Sequence, residues 1–497
     1  MTPNHPLLIN GKFVETKERL NIINPSTGKV IAEASIASLK EVELAIDGAR
    51  EAFDKGEWPK LSLSRRKDFI SRIARGILDK AGELAKLETE NSGKPIKETT
   101  FMDIPSAAKT FEYIAHNFEG FLKEEDLTIS SEAKAKLVRE PMGVVVLIIP
   151  WNYPLLIAAW KLASALAAGN TVILKPSSLT PLTALELGKI IQEAGLPKGA
   201  VNIINGNGAS IGEALCSDKR VDMISFTGSN DSGRQILRYT SKNIKKSIME
   251  LGGKSASLIF SDVDIDIAVN SSLCSIFLNQ GQMCTAMSRI FVQDKIYDKF
   301  INNFVAKTQG IKLGLADNYE TQMGPLISDA QRKKVIAYIE KAKREGANLL
   351  CGGNIPPAAE LKNGYFFAPT VLSEVNPHSH IFKEEVFGPV VIINKFSDAE
   401  QAEALANSSD FGLASCIWTK DIDFAERLSR KINAGVIWIN TYGMFYDQLP
   451  YGGFKQSGFG KELGKEGFLE YTRLKNVIID QAPDSKPLVN YWYGLSS

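Results

Sequence analysis

The sequence predicts an α/β protein: two successive units, each a mostly parallel sheet with helices, following a helical N-terminal stretch, plus a small β element outside both sheets. Two observations predict it. From Gly143 onward, short β-branched runs alternate with Ala/Leu-rich segments, which is how parallel strands joined by crossover helices read. After Gly252 a second series of apolar runs begins, again alternating with amphipathic patterns. At 497 residues the chain is long enough for roughly three domains of ~150 residues.

Taken in order, the first ~120 residues read as mostly helical. Ser38 and Glu41 stand in capping-box spacing ahead of a helix to Phe53. A longer pattern from Ser64 to about Glu90 places Phe69, Ile70, Ile73, Ile77 and Leu78 on one face, and Gly93 and Pro95 stop it. Leu127 to Arg139 alternates like a hairpin. GVVVLIIP, NTVILKP, AVNIING, DMISFTG and ASLIF read as the strands of the first series, and RIFVQ, PVVIINKF, LASCIWT and GVIWIN as those of the second, with a helix from Ser328 to Glu345 between them. The tail from Asn476 carries Tyr491, Trp492 and Tyr493, which need an apolar surface; the chain's own core and a second subunit are equally open as that surface.

Composition excludes several classes. An apolar fraction of 44% and a charged fraction of 23% are those of a folded globular protein, and 58 Lys+Arg against 57 Asp+Glu give no field that would gather nucleic acid or anionic lipid. The cysteines at 216, 274, 284, 351 and 416 form no CxxC pair and lie far from His5, His116, His378 and His380, so no metal site and no disulfide framework is expected. No basic segment with a long apolar run opens the chain, and nowhere do ~18 apolar residues run together, so a cytoplasmic, non-membrane protein is expected.

Several short segments have the composition of a site. INGNGASIG, with Gly206, Gly208 and Gly212, follows a strand and opens a helix, where backbone N–H groups can meet a phosphate or simply make a tight turn. FTGSNDSG, from Phe226 to Gly233, is a second such turn and adds the Ser229 hydroxyl. Asn152, in PWNYP at the end of the first strand, is either a turn former or an amide donor at the sheet edge where α/β proteins bind ligands. Cys284 in NQGQMCTA is either a small buried hydrophobe or a reactive thiol, and its amide-rich surroundings are a poor core. Glu250 in MELGGKS reads by default as a surface carboxylate, while Gly252 and Gly253 suggest that something approaches the backbone closely there.

PWNYP, LKPS, FTGS, ELGGKS, NQGQMC, EEVFGP and PYGGFKQSGFGKELG, in this order and spacing, resemble the aldehyde dehydrogenase superfamily from about Ile9 to Lys475. The resemblance implies a Rossmann-like cofactor domain (1–122 and 142–250, with 451–475 returning to it), a catalytic α/β domain (251–450) and an oligomerisation arm (123–141 and 476–497), in a homodimer or homotetramer. It implies that Cys284 attacks an aldehyde, that Asn152 and the Cys284 backbone N–H hold the oxyanion, and that Glu250 activates water against the thioester. Lys175 and Ser178 would meet the adenine ribose, Ser229 the pyrophosphate, Glu385 the nicotinamide ribose and Phe387 the ring, with Trp151, Gly208, Gly212, Phe226, Gly228, Leu251 and Gly252 lining the same cleft. NAD or NADP is the implied cofactor. Ser178 stands where NAD-preferring members carry Glu, which leads us to expect NADP use.

For the substrate, Tyr153, Trp160 and Tyr451 resemble the aromatic cage of betaine and ω-aminoaldehyde dehydrogenases, and Asp103 lies where it can meet a substrate amine. Leu278 and Tyr451 replace tryptophans common in choline-pathway members, so a generic apolar funnel stays open as the alternative. The other classes to be weighed are a reductase or CoA-acylating relative, against which Glu250 speaks, and an inactive binding protein on the same fold, against which the joint presence of Cys284, Glu250 and Asn152 speaks.

Overall fold

A computed structural model describes residues 3–130 and 133–480. Its first sheet has eight strands in the order Gly458–Phe459, Lys246–Glu250, Met223–Thr227, Val144–Ile148, Thr171–Lys175, Val201–Ile203, Leu7–Ile9 and Lys12–Val14. The five central strands are parallel, and their β-branched runs are buried on both faces, as strands between two helix layers must be. From Val144–Ile148 the chain winds outward through Thr171–Lys175 to Val201–Ile203, then returns to the other side for Met223–Thr227 and Lys246–Glu250. This reversal leaves a crevice beyond the carboxyl ends of the strands, the position at which such sheets bind ligands.

The second sheet has seven strands, in the order Asn348–Cys351, Thr370–Ser373, Val390–Phe396, Arg289–Gln293, Ala256–Ile259, Ala414–Trp418 and Val436–Ile439. All its pairs are parallel except the first. A third, antiparallel sheet joins Thr472–Asp480, Ala133–Pro141 and Glu125–Thr128. The predicted hairpin is therefore completed by a strand from the far end of the chain, and Leu474, Ile478 and Ile479 on that strand are exposed. The aromatic tail, 481–497, lies outside the described residues. Among the described residues no helix is long and apolar enough to cross a membrane.

The N-terminal expectation needs two corrections. Residues 4–35 form short strands rather than helix, because their apolar residues alternate over lengths too short to register as a helical stripe. The Ser64–Glu90 pattern is two helices, Leu63–Asp79 and Ala81–Ser92, broken at Lys80 (φ −106°, ψ 17°), with weak helix-forming Gly82 just beyond. The break leaves Leu78 exposed and turns Leu84 and Ala85 into the core that Phe69, Ile70, Ile73 and Ile77 already occupy. The capping box at Ser38 and Glu41 is present and starts Leu39–Asp54.

Candidate active site

The strand ends of the first sheet open into one cavity of about 1010 Å³, which the second unit closes with Cys284, Glu385 and Phe387. Trp151 and Asn152 enter from the strand ending at Ile148, Lys175 and Ser178 from the next, Phe226, Gly228 and Ser229 from Met223–Thr227, and Glu250, Leu251 and Gly252 from Lys246–Glu250. Residues as far apart in the chain as Trp151 and Phe387 thus share one space because of the winding, not because of local sequence.

Cys284 sits in a loop that the backbone adopts only under constraint. Asn279, Gln280 and Gly281 follow one another with φ of 46°, 56° and 70°, a left-handed run that non-glycine residues avoid. Its amides explain how it persists. Asn279 Nδ2 donates to Asn152 O (3.1 Å), Asn152 Nδ2 donates to Gln282 O (2.8 Å), the Ile327 N–H donates to Gln282 Oε1 (3.0 Å), and the Asn279 N–H donates to Glu98 Oε2 (3.1 Å). The amide-rich surroundings are a hydrogen-bond lattice holding the loop, and Asn152 belongs to it. Gly253 lets the loop come close: a Cβ there would lie 2.2 Å from the Cys284 carbonyl oxygen. The approach that Gly252 and Gly253 suggested in the sequence is that of the Cys284 backbone and of Glu385, whose Oε2 would lie 2.5 Å from a Cβ at Gly252.

Burial pushes the Cys284 thiol up to about 12, and the Tyr451 hydroxyl, 3.2 Å from Sγ, works in the opposite direction. Glu250 is buried rather than the surface carboxylate its sequence suggested, and neither oxygen has a hydrogen-bond partner among the described residues. Burial, and then the charge of Glu462, push its carboxyl well above the ordinary range. An unpaired buried carboxylate is costly to keep and needs a reason.

Toward the other end of the cavity, Cβ atoms at Gly208 and Gly212 would meet nothing within 4 Å, so open space lies against the start of the helix Gly208–Ser217. Ser229 caps the helix Asn230–Thr240, accepting from the Ser232 N–H at 3.3 Å. Lys175 is buried, which lowers its ammonium to about 8, and Nζ donates only weakly, to Pro176 O at 3.3 Å. Ser178 Oγ donates to Gly206 O at 2.9 Å, so the free donor expected of this residue is already engaged. Glu385 Oε1 accepts from the Gly253 N–H at 2.9 Å, and burial raises its carboxyl to about 7. Phe387 stands edge-on to Trp151 (5.2 Å, 86°) at a left-handed φ of 59°, held there by Gln331 Nε2 donating to its carbonyl at 2.7 Å.

Near Cys284 the walls are aromatic. Trp160 and Tyr451 lie 5.2 Å apart by ring centroid, and Phe445 packs on both at 5.9 and 5.6 Å. Leu278 and Tyr153 complete this end. Asp103 does not play the expected part: it is buried and paired with Lys94, whose Nζ also stands 3.5 Å over the Tyr153 ring, so its carboxylate already has a cation. Phe445, Gln331 and Lys94 were not singled out from the sequence. Phe445 lies in an irregular stretch without periodicity, Gln331 reads as an ordinary residue of a solvated helix face, and only the SGKP turn hinted at Lys94.

Three comparisons bear on this arrangement. Residues 13–477 match the aldehyde dehydrogenase family. The chain is 43% identical to the betaine aldehyde dehydrogenase of Bacillus subtilis (strain 168), over 98% of this chain and 99% of that one, and 40% identical to the chloroplastic betaine aldehyde dehydrogenase of Beta vulgaris, over 96% and 97%. Among solved structures, a point mutant of Staphylococcus aureus betaine aldehyde dehydrogenase in complex with NAD+ superposes with a TM-score of 0.95 at 40% identity, covering 98% of this chain and 99% of that one.

Proposed function

This chain belongs to the aldehyde dehydrogenase family, and on the premise that it is an aldehyde-oxidising enzyme we propose that it converts a betaine aldehyde or ω-aminoaldehyde to its carboxylate. The observation that carries the hydrolytic reading is Glu250, a buried carboxylate with no hydrogen-bond partner among the described residues, in the same cavity as Cys284 and Asn152. An acylating or reducing relative has no use for it.

In this reading Cys284 Sγ attacks the carbonyl carbon and the carbonyl electron pair moves to oxygen. The second amide proton of Asn152, the one not engaged by Gln282 O, and the Cys284 N–H receive that oxyanion as its charge develops. A nicotinamide dinucleotide, when bound, supplies the hydride acceptor. The residues present fit one: the open space at Gly208 and Gly212 leaves room for phosphates against a helix start, Ser229 stands at a second helix start, Lys175 and Ser178 lie along the adenosine end, and Glu385, Phe387 and Trp151 along the other. Glu250 then takes a proton from the water that attacks the Cys284 thioester, releasing acid and thiolate. Burial, which raises the Glu250 carboxyl well above the ordinary range, makes it a stronger base for that transfer than an ordinary carboxylate.

The superposed Staphylococcus aureus enzyme is in complex with NAD+, and NADP use is the finer proposal, resting on the absence of a carboxylate at Ser178. A homodimer or homotetramer joined through the arm of 123–141 and the strand beyond Asn476 is supported by the exposed Leu474, Ile478 and Ile479. The division into a cofactor domain (1–122, 142–250, 451–475) and a catalytic domain (251–450) accords with the two sheets, and a cytoplasmic setting with the free thiols.

The substrate reading rests on Trp160, Tyr451, Phe445 and Tyr153 around Cys284. Betaine aldehyde and its neutral isostere 3,3-dimethylbutanal separate charge recognition from shape, with 4-aminobutanal as the primary-amine case. Cation–π attraction of ~2 kcal/mol makes kcat/KM for betaine aldehyde exceed that of the isostere by about thirtyfold. Equal values would leave only an apolar funnel.

A further inference from the structure

The Tyr451 side chain does more than wall the pocket. Its hydroxyl lies 3.2 Å from Cys284 Sγ, and its position has little freedom. The ring is wedged between Trp160 and Phe445, and the Tyr451 backbone exchanges two hydrogen bonds with Glu462, at 2.7 and 2.8 Å. We propose that the Tyr451 hydroxyl is a further catalytic group, a fixed donor that holds Cys284 Sγ as the thiolate before aldehyde addition. The proposal rests on the reading of Cys284 as nucleophile.

The direction of the bond follows from the chemistry of the pair. A thiolate can only accept, and a phenol is a much stronger donor than a thiol. Burial, and the negative charge that Cys284 and Glu250 place beside it, keep the Tyr451 phenol protonated far above its usual range. The other groups bearing on Cys284 leave a need for such a donor. The Glu385 and Glu250 carboxylates oppose a charged sulfur, the Tyr153 and Tyr442 phenols lie near enough for its charge to raise them, and among the described residues the Thr285 backbone N–H is the other favourable contact. Cation and histidine, the usual partners of a reactive cysteine, are replaced here by a hydroxyl.

The bond also suits the next step. As the Sγ–C bond forms, the carbonyl electron pair moves to oxygen and the sulfur becomes a neutral thioether, a weak acceptor. The hydrogen bond therefore weakens as the oxyanion contacts strengthen, and Tyr451 keeps its proton throughout.

The test is the pH dependence of Cys284 alkylation by iodoacetamide in the full-length enzyme, followed by mass spectrometry of the Cys284 peptide. Tyr451→Phe is expected to slow alkylation at pH 7 by about tenfold or more, and to move its midpoint and the acidic limb of kcat/KM upward by about one pH unit, with KM for NAD within about twofold of wild type. 3-Fluorotyrosine placed at position 451, a stronger donor of the same shape, is expected to move the midpoint downward, which a packing role would not do. An unchanged or faster alkylation of Tyr451→Phe, or no shift with 3-fluorotyrosine, overturns the proposal. Because alkylation reads the thiol itself, an active Cys284→Ser enzyme would remove the nucleophile reading separately.

Discussion

Gly253→Ala tests the idea that the loop carrying Cys284 must approach the segment linking the two sheets this closely. The residue does not need a left-handed backbone, so alanine is conformationally allowed and the effect is steric. Its Cβ would stand 2.2 Å from the Cys284 carbonyl oxygen, whereas Cβ atoms are not found closer than 3.0 Å, so the two backbones must part by about 0.8 Å. A backbone oxygen cannot rotate away as a side chain can. The displacement falls on Cys284 itself and on Gln282, whose carbonyl accepts from Asn152 at 2.8 Å, so nucleophile and oxyanion donors lose their common geometry. Misplacement of about 1 Å at a reacting centre costs on the order of 10²-fold in rate. Single-turnover formation of reduced cofactor at saturating aldehyde reads that loss directly, while calorimetry and circular dichroism report whether the variant is folded. Gly120→Ala is the control: its Cβ, on an exposed helix position, meets nothing within 4 Å, and helix propensity favours alanine by up to ~1 kcal/mol. A folded Gly253→Ala enzyme with a single-turnover rate within threefold of wild type would refute the steric argument.

Glu250→Gln is expected to keep a rapid burst of reduced cofactor and lose the steady rate by about 10² to 10⁴-fold, whereas Cys284→Ser loses both; absence of the burst in Glu250→Gln would place the carboxylate before hydride transfer. Ser178→Glu is expected to lower kcat/KM for NADP by about tenfold or more through repulsion of a 2′-phosphate, leaving NAD unharmed, and an unchanged NADP/NAD ratio would end the argument from this position. Glu98, buried beneath the nucleophile loop, has its carboxyl raised from 4.5 to about 8 by burial. The folded state therefore binds a proton that the unfolded state releases, and the stability this provides is full below pH ~4.5 and lost as pH rises through about 8, at up to ~1.4 kcal/mol per pH unit. Glu98→Gln, which can still accept from the Asn279 N–H, should flatten the fall of Tm between pH 6 and 8; parallel Tm curves for the two proteins would count against it.

Local chemistry is what the sequence by itself determined. Ser38 and Glu41 announce a helix start because both partners of the cap lie within one turn, and the doubly buried strands declare themselves because β-branched and other apolar residues dominate them. Gly252 and Gly253 disclosed a close approach, since only a missing Cβ was needed to suspect one, but not what approached. The order of seven motifs carried the family and, with it, the candidate roles of Cys284, Glu250 and Asn152. Tertiary structure decided whatever depends on a partner distant in the chain. Asp103 looks available in sequence and is paired with Lys94, because a π-helical turn over Thr99–Asp103 brings its carboxylate to that ammonium. Ser178 looks like a free donor and is engaged by Gly206 O, 28 residues away. The burial of Glu250, and the hydroxyl of Tyr451 at Sγ, 167 positions on, arise where two sheets wound separately meet across one cleft. Periodicity reports which face of an element is apolar; it carries no record of which side chain from another element will desolvate a carboxylate or donate to a sulfur, and that is where the chemistry of this site is set.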